Sequence, residues 1–418
     1  MTNLLEYDRA YIWHPYASLK NPPPVRLVES ASGSRLRLAD STELVDAVAS
    51  WWCVAHGHNH PHIVEAIRRQ SAKLSHVMFG GFTHQPAVEL ARKLADFAPT
   101  GLDKVFFADS GSIAVEVAAK MCLQYQHAKG RPNRTRLLAL KGGYHGDTAC
   151  AMALSDPDGM HTLFAGMMPK HFFADMPDGD LAHWNFRAQL EAHRDEIAGV
   201  FCEPIFQAAN AMNFYGPEYL REMRQVCDEL DIPLVFDEIA SGLYRTGPRW
   251  AHERAGIKPD IMTVGKALTG GHLTLAATIA SNNVARVISN GSPSAFMHGP
   301  TYMANPLACA AAIASLELFE ASDYSFRVAN VERILREEGI PQTMGAVGVI
   351  KVPRLPARDD IERVIDEYGV WLRPFCNFIY TMPPLTIAEA DLRRVCAAMK
   401  ALAACPPGPE TPDGDFHE

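Results

Sequence analysis

Between about residues 103 and 280, short apolar runs alternate with segments of helical period. Strands are expected at Phe106-Phe-Ala, Arg136-Leu-Leu-Ala-Leu, Val200-Phe-Cys, Leu234-Val-Phe, Ile261-Met-Thr-Val and Leu273 to Ala280, with helices from Ile113 to about Ala128 and from Pro217 to about Leu230. This alternation predicts an α/β fold with a mostly parallel, doubly wound sheet, which takes its ligands at the carboxyl ends of the strands. Ahead of it, Arg35-Leu-Arg-Leu and Glu43-Leu-Val-Asp-Ala-Val alternate with period two and predict a small antiparallel sheet. Behind it, Asn305-Pro306 opens an alanine-rich helix to about Glu320. A smaller α/β unit then runs from about 325, with strands at Val347 to Val352 and Phe378-Ile-Tyr and helices over 358–368 and about 388–403. The expected division is an arm and part of a small domain over 1–50, a large domain over 51–320, the rest of the small domain over 321–404, and a disordered Pro-, Gly- and acid-rich tail over 405–418.

Two of these strands run into a single charged residue, Asp237 and Lys266. An acid and a lysine brought to one rim are the two groups that pyridoxal phosphate chemistry needs, one for the pyridine nitrogen and one for the aldehyde. A plain salt bridge at a sheet edge is the alternative. Glu203 ends another strand. Asp109-Ser110-Gly111-Ser112 joins a strand to a helix N-terminus, an arrangement whose free N–H groups and dipole suit an anion. Gly142-Gly143-Tyr144-His145-Gly146-Asp147 follows a strand, and its glycines permit a sharp turn that presents the tyrosine either to a ligand or to the core. The run His56-Gly-His58-Asn-His60-Pro-His62 invites a zinc reading, yet it lacks cysteine or carboxylate partners at ligand spacing and leads into a helix. A hydrogen-bonded, helix-capping loop is the better expectation, and no metal is expected.

The formal net charge of −9 and the absence of any Lys/Arg block argue against a nucleic-acid or anionic-membrane surface and make small molecules the expected partners. No signal peptide or membrane-spanning run is read from the sequence, and nine scattered cysteines without a Cys-x-x-Cys pair suit reduced thiols in a cytoplasm.

With these motifs in hand, the chain from about 8 to 402 resembles the class III aminotransferases of the pyridoxal phosphate fold type I superfamily. The pieces that carry the resemblance are Tyr11-Ile-Trp-His-Pro-Tyr16, Ser50-Trp51-Trp52, His76-Val-Met-Phe-Gly-Gly81, Gly143-Tyr144-His-Gly-Asp147-Thr, Gly265-Lys266-Ala-Leu-Thr-Gly-Gly, Met297-His-Gly-Pro-Thr301 and Gly369-Val-Trp-Leu-Arg373-Pro-Phe375. The resemblance implies a homodimer with shared active sites. It implies Lys266 as covalent anchor and base, Asp237 on the pyridine nitrogen, Gly111 and Ser112 on the phosphate, Tyr144 on the ring, and Pro300 and Thr301 reaching the cofactor across the two-fold axis. Tyr16, Trp51, Tyr144, Lys266 and Gly299 are implied at the substrate, with Tyr16 also among the catalytic groups and Arg373 on a far carboxylate. Asp147, Glu203 and Arg245 are further candidates, Arg245 as a contact for the donor's carboxylate. The Trp-Trp, Trp-His-Pro-Tyr and Arg-Pro-Phe pieces are similar to members that convert 8-amino-7-oxononanoate to 7,8-diaminononanoate in biotin biosynthesis, with S-adenosylmethionine or lysine as donor. Members acting on a diamine, ornithine or 4-aminobutyrate, and a relative that binds cofactor without catalysis, are the rival expectations. The connection over 321–345 looks shorter than is usual in the family.

Overall fold

The computed structural model describes residues 4–177, 179–209 and 212–409. Its central sheet has seven strands: β1 (Leu102–Ala108), β2 (Arg136–Leu140), β3 (Phe172–Ala174), β4 (Ile197–Cys202), β5 (Leu234–Asp237), β6 (Ile261–Val264) and β7 (Ala276–Ser281). Their spatial order is β1-β7-β6-β5-β4-β2-β3. Neighbours run parallel except at β7, which is antiparallel to both β6 and β1. Two reversals restore direction, so the carboxyl ends of β1, β2, β4, β5 and β6 share one rim.

Every residue of β4, β5 and β6 is buried, as expected for strands covered on both faces. Leu138, Val200, Leu234 and Phe236 pack with Tyr219, Leu220 and Met223 of α2 (Pro217–Leu230). Leu137, Ala139, Phe201 and Val235 point the other way, into Val115, Ala118 and Cys122 of α1 (Gly111–Ala128). Side-chain alternation along a strand thus supplies both helix layers, and the sheet is doubly wound.

Val28–Ser32, Arg35–Leu38 and Glu43–Asp46 form the expected antiparallel ladder, and Val370–Trp371 joins it parallel to Glu43–Asp46. This pairing sets the segment entering Arg373 beside the one entering Trp51. A third sheet is made by Gln342–Met344, Val347–Lys351 and Phe378–Thr381. Only Ser322 and Asp323 separate α3 (Pro306–Ala321) from the helix Tyr324–Glu337.

Two local expectations change, and one turn had no expectation to meet. The last strand of the large sheet begins at Ala276 rather than Leu273, because Gly270 and Gly271 take positive φ and the chain is still turning there. The start of the tail is ordered: Gly408 N–H donates to Leu355 O at 2.8 Å and Pro407 bridges Pro356, so backbone pairing holds 405–409 in place. The remainder of the expected tail, 410–418, lies outside the described residues. Finally, Ala49–Trp52 is a left-handed turn, with φ of 47, 47, 58 and 74° at four consecutive non-glycine residues. No helix among the described residues is long and apolar enough to cross a membrane.

Candidate active site

The rim collects the candidates in order of their strands. Asp237 is the last residue of β5 and Glu203 the first after β4. Gly111 and Ser112 form the first turn of α1, the 142–147 loop follows β2, and Lys266 stands one glycine beyond β6 with φ of 42°. Two adjoining cavities result. One, of about 150 Å³, is lined by Gly111, Ser112, His145, Glu203, Asp237 and Ile239. The other, of about 250 Å³, is lined by Tyr16, Trp51, Asp147, Met160, Arg373 and Phe375. Trp52, Tyr144 and Lys266 line both, so they are two chambers of one site.

In the inner chamber Asp237 accepts three hydrogen bonds: His145 Nδ1 at 2.8 Å on Oδ2, with Thr263 Oγ1 at 3.0 Å and Ile239 N–H at 3.1 Å on Oδ1. Burial works to lower the His145 pKa, but the hydrogen bond and charge of Asp237 outweigh it and the net shift is upward. Burial lifts Glu203 to about 7, and its two oxygens accept Tyr144 N–H at 3.0 Å and Ala208 N–H at 3.1 Å. It thus ties together two loops of the rim. Burial lowers the Lys266 pKa against the opposing pull of Asp237 and Glu203, which favours the neutral amine that a nucleophile or base requires.

This chamber fits pyridoxal phosphate. Ser110 caps α1, accepting Ile113 N–H at 3.4 Å, so the remaining donors of the first turn are offered to an anion. The backbone is pressed close there: a Cβ on Gly146 would lie 2.0 Å from Ser112 Oγ, and one on Gly111 would lie 2.9 Å from Ile239 Cδ1. Helix-terminal donors, a buried carboxylate and an amine line one chamber, and they match the phosphate, ring nitrogen and aldehyde in kind.

The outer chamber is aromatic. Tyr16 meets Trp51 edge-on with centroids 6.3 Å apart, and the Arg373 guanidinium lies 4.9 Å from the Trp51 centroid. Asp147 accepts Tyr144 OH at 3.0 Å and His161 Nε2 at 3.0 Å on Oδ1, and Tyr16 OH at 3.1 Å on Oδ2. Burial is the main cause that holds the Tyr144 phenol well above its usual pKa, so it remains a donor. The hydrogen bond from His161 is the main cause lowering the Asp147 pKa.

Four candidates lie elsewhere. Gly299, Pro300 and Thr301 line neither cavity; their segment is held by His76 Nε2, which donates to Thr301 O at 2.7 Å. Arg245 is buried behind the site, donating to Pro383 O at 2.7 Å and Ala346 O at 3.3 Å, and burial lowers its pKa to about 9. Both of these bonds are made by Nη1, while the buried Nη2 meets no partner among the described residues, so Arg245 stands as a strut between loops with one donor left over. The histidine run also resolves into separate pairs: His56 with the Tyr324 and Ser315 hydroxyls, His58 with Asp46 and His62 with Glu317, while His60 caps its helix. Among the described residues, no group of three or more His, Cys, Asp and Glu side chains could hold a metal ion. Residues missing from the sequence expectations are Met160, His161, Thr263 and Phe375 as wall or support. Met160 and His161 stand in an irregular stretch with no periodic signal, and Thr263 sits within the buried strand β6, where it reads as one more strand residue.

A doubly wound sheet with a lysine, an acid and an anion-binding helix start on one rim defines a pyridoxal phosphate-dependent transferase. The model of the aminotransferase class-III family matches residues 16–402, and the chain belongs to that family. It is 43% identical over 407 residues to an adenosylmethionine-8-amino-7-oxononanoate aminotransferase of Buchnera aphidicola, covering 93% of this chain and 95% of the relative. The crystal structure of an enzyme of the same name from Methanocaldococcus jannaschii superposes with a TM-score of 0.90 at 31% identity, covering 97% and 100% of the two chains. An amine transaminase from an uncultivated Pseudomonas species, in its PLP-bound form, superposes with a TM-score of 0.85 at 28% identity, covering 95% and 99%.

Proposed function

We propose that this enzyme aminates 8-amino-7-oxononanoate to 7,8-diaminononanoate in biotin biosynthesis, with S-adenosylmethionine as donor. The observation that carries this reading is the outer chamber itself, which sets the Asp147 carboxylate and the Arg373 guanidinium in one cavity with aromatic walls between them. The acceptor has a matching layout: an ammonium beside the ketone, an alkyl chain, and a carboxylate at the far end. Aromatic walls suit the chain, and a guanidinium suits a planar carboxylate. The names of the relatives, at 43% and 31% identity, agree with it.

Pyridoxal phosphate, when bound, supplies an aldehyde carbon for the amine and a conjugated ring that draws electrons from the substrate carbon. Asp237, itself held by His145 and Thr263, would hold the proton of the ring nitrogen. Lys266 would anchor the aldehyde and, as a free amine, would take up and return a proton at the substrate carbon. Tyr144 and Trp52 line both chambers and stand at their junction. The donor leaves as its oxo product, and the water taken up in that half-reaction is returned when the acceptor's ketone is aminated.

The working form is proposed as a cytoplasmic homodimer. The nine cysteines are unpaired, which suits a reducing compartment. Met78, Phe82, Met297 and Tyr302 are 60% or more exposed, on two segments that His76 ties together, and apolar surface gathered in this way suits burial against a second copy. The test is mass-spectrometric detection of 7,8-diaminononanoate from the purified holoenzyme, with S-adenosylmethionine and lysine offered in separate reactions. Turnover of 4-aminobutyrate, ornithine or a diamine without turnover of the oxononanoate overturns the assignment.

A further inference from the structure

Asp147 receives both tyrosine hydroxyls, yet its side chain is 55% exposed and its own loop holds the carboxylate through the Tyr144 hydroxyl alone. A further hold comes from another segment. His161 is buried at the start of the short turn Thr162–Met167, and its Nε2 lies 3.0 Å from Asp147 Oδ1. A carboxylate only accepts, so Nε2 carries the proton. The same imidazole stacks on the Tyr144 ring, with centroids 5.9 Å apart and planes 24° from parallel. One residue earlier, Met160 lines the substrate chamber. The segment is anchored again at its other end, where Ser155 Oγ accepts His145 N–H at 2.9 Å and Asp156 N–H donates to Gly143 O at 2.9 Å. The 155–161 stretch is therefore a strap over the 142–147 loop, closed at its far end by His161.

We propose that His161 is a positioning residue for the acceptor. Its Nε2–H fixes the Asp147 carboxylate so that Tyr16 and Tyr144 both donate to it, which presents two oriented phenols and one negative charge to the acceptor's amino group and seats Met160 in the wall. This rests on the function proposed above, in which Asp147 faces the ammonium. Without the donor at position 161, Asp147 can rotate toward solvent, and the two phenols lose their common acceptor. The loss falls on recognition of the acceptor, because the His161 imidazole bonds to Asp147 in the outer chamber, whereas Asp237 lies in the inner one and is held by His145, Thr263 and Ile239.

The experiment uses the purified holoenzyme with three variants. Glutamine at 161 carries an N–H donor at about the reach of Nε2; asparagine and leucine do not. His161→Leu and His161→Asn are expected to raise the acceptor's KM about tenfold, the scale of one hydrogen bond to a charged group. Expected kcat stays within about twofold, and His161→Gln restores most of the lost affinity. Asp147→Ala raises KM by itself, and adding His161→Leu to it adds little, since both act through one interaction. An unchanged KM in His161→Asn overturns the inference. So does a parallel fall in the rates of both half-reactions with His161→Gln no better than His161→Leu, which is the signature of a merely structural residue. If His161→Leu does not fold, the comparison of asparagine with glutamine decides. A wild-type enzyme that fails to aminate the oxononanoate refutes the proposed function, and the His161–Asp147 coupling is then read in a double-mutant cycle of apoenzyme urea unfolding, which needs no substrate; additive losses there refute the positioning role.

Discussion

Arg373 and Glu203 show how one residue type can be placed for binding and another for poise. Arg373 reaches the outer chamber over the Trp51 ring, where stacking orients its fork. Replacing it with alanine removes a charge-assisted, bidentate contact of about 1.5 to 3 kcal/mol, or roughly ten- to a hundredfold in acceptor KM. Rapid-mix absorbance measurements of the two half-reactions are expected to show that loss with the oxononanoate and a much smaller one with the donor. Equal losses would show that Arg373 does not serve the ketone substrate. Glu203 is raised by burial from 4.5 to about 7, so between those values the folded chain holds a proton that the unfolded chain releases. A raised pKa gives stability that is fully present below the unfolded value and lost as pH rises through the folded one. The gap corresponds to about 3 kcal/mol. Urea unfolding of the apoenzyme from pH 5 to 8 is expected to show the wild type losing about 2 to 3 kcal/mol relative to Glu203→Gln, and a pH-independent difference would refute it.

At the scale of elements, the left-handed turn Ala49–Trp52 brings both indoles to the site. A left-handed step costs an ordinary residue about 1 to 2 kcal/mol, so four in a row require an anchor. Asp46, fully buried at the end of its strand, supplies it: Oδ1 accepts Val48 N–H at 3.1 Å, and Oδ2 accepts Ser50 Oγ and His58 Nε2, each at 2.9 Å. Asp46→Ala strands those donors and is expected to cost about 3 kcal/mol, seen as a lower urea midpoint, and to raise the acceptor's KM through misplaced Trp51. A stability loss with unchanged KM would separate the anchor from the pocket. This turn was invisible beforehand, because Ala-Ser-Trp-Trp carries none of the Gly or Asn that marks left-handed backbone. The elements that were legible are those with a strong period. Leu234 to Asp237 and Ile261 to Val264 are short, mostly apolar runs with a charge at or just beyond the end, the pattern of a buried parallel strand that delivers a polar group to the rim. The antiparallel direction of β7 and the burial of Arg245 are set by chain connectivity and by distant carbonyls, neither of which leaves a local trace.

At the scale of the whole molecule, Thr301 stands on an exposed segment outside the cavity formed by Gly111 and Ser112 of its own chain. A phosphate dianion offers more acceptor sites than one helix start can fill, and a two-fold axis would supply a hydroxyl to two sites at once. Thr301→Ala alone is therefore expected to weaken cofactor retention about tenfold or more, measured as the free concentration needed for half-loading. The decisive measurement pairs Lys266→Ala chains with Thr301→Ala chains carrying a different affinity tag, so that mixed dimers can be isolated. Lys266→Ala homodimers should not turn over. With Thr301 acting in trans, each mixed dimer has one site lacking both residues and one with both intact. It should then bind cofactor with wild-type affinity in about half its sites and regain about half the wild-type turnover per dimer. With Thr301 acting in cis, every site carries one defect: the site with Lys266 intact binds as weakly as the Thr301→Ala homodimer, and no wild-type site reappears. Titration of the isolated mixed dimer at limiting cofactor separates the two outcomes, because only the trans arrangement yields a tight class of sites, and its absence would sink the shared-site model.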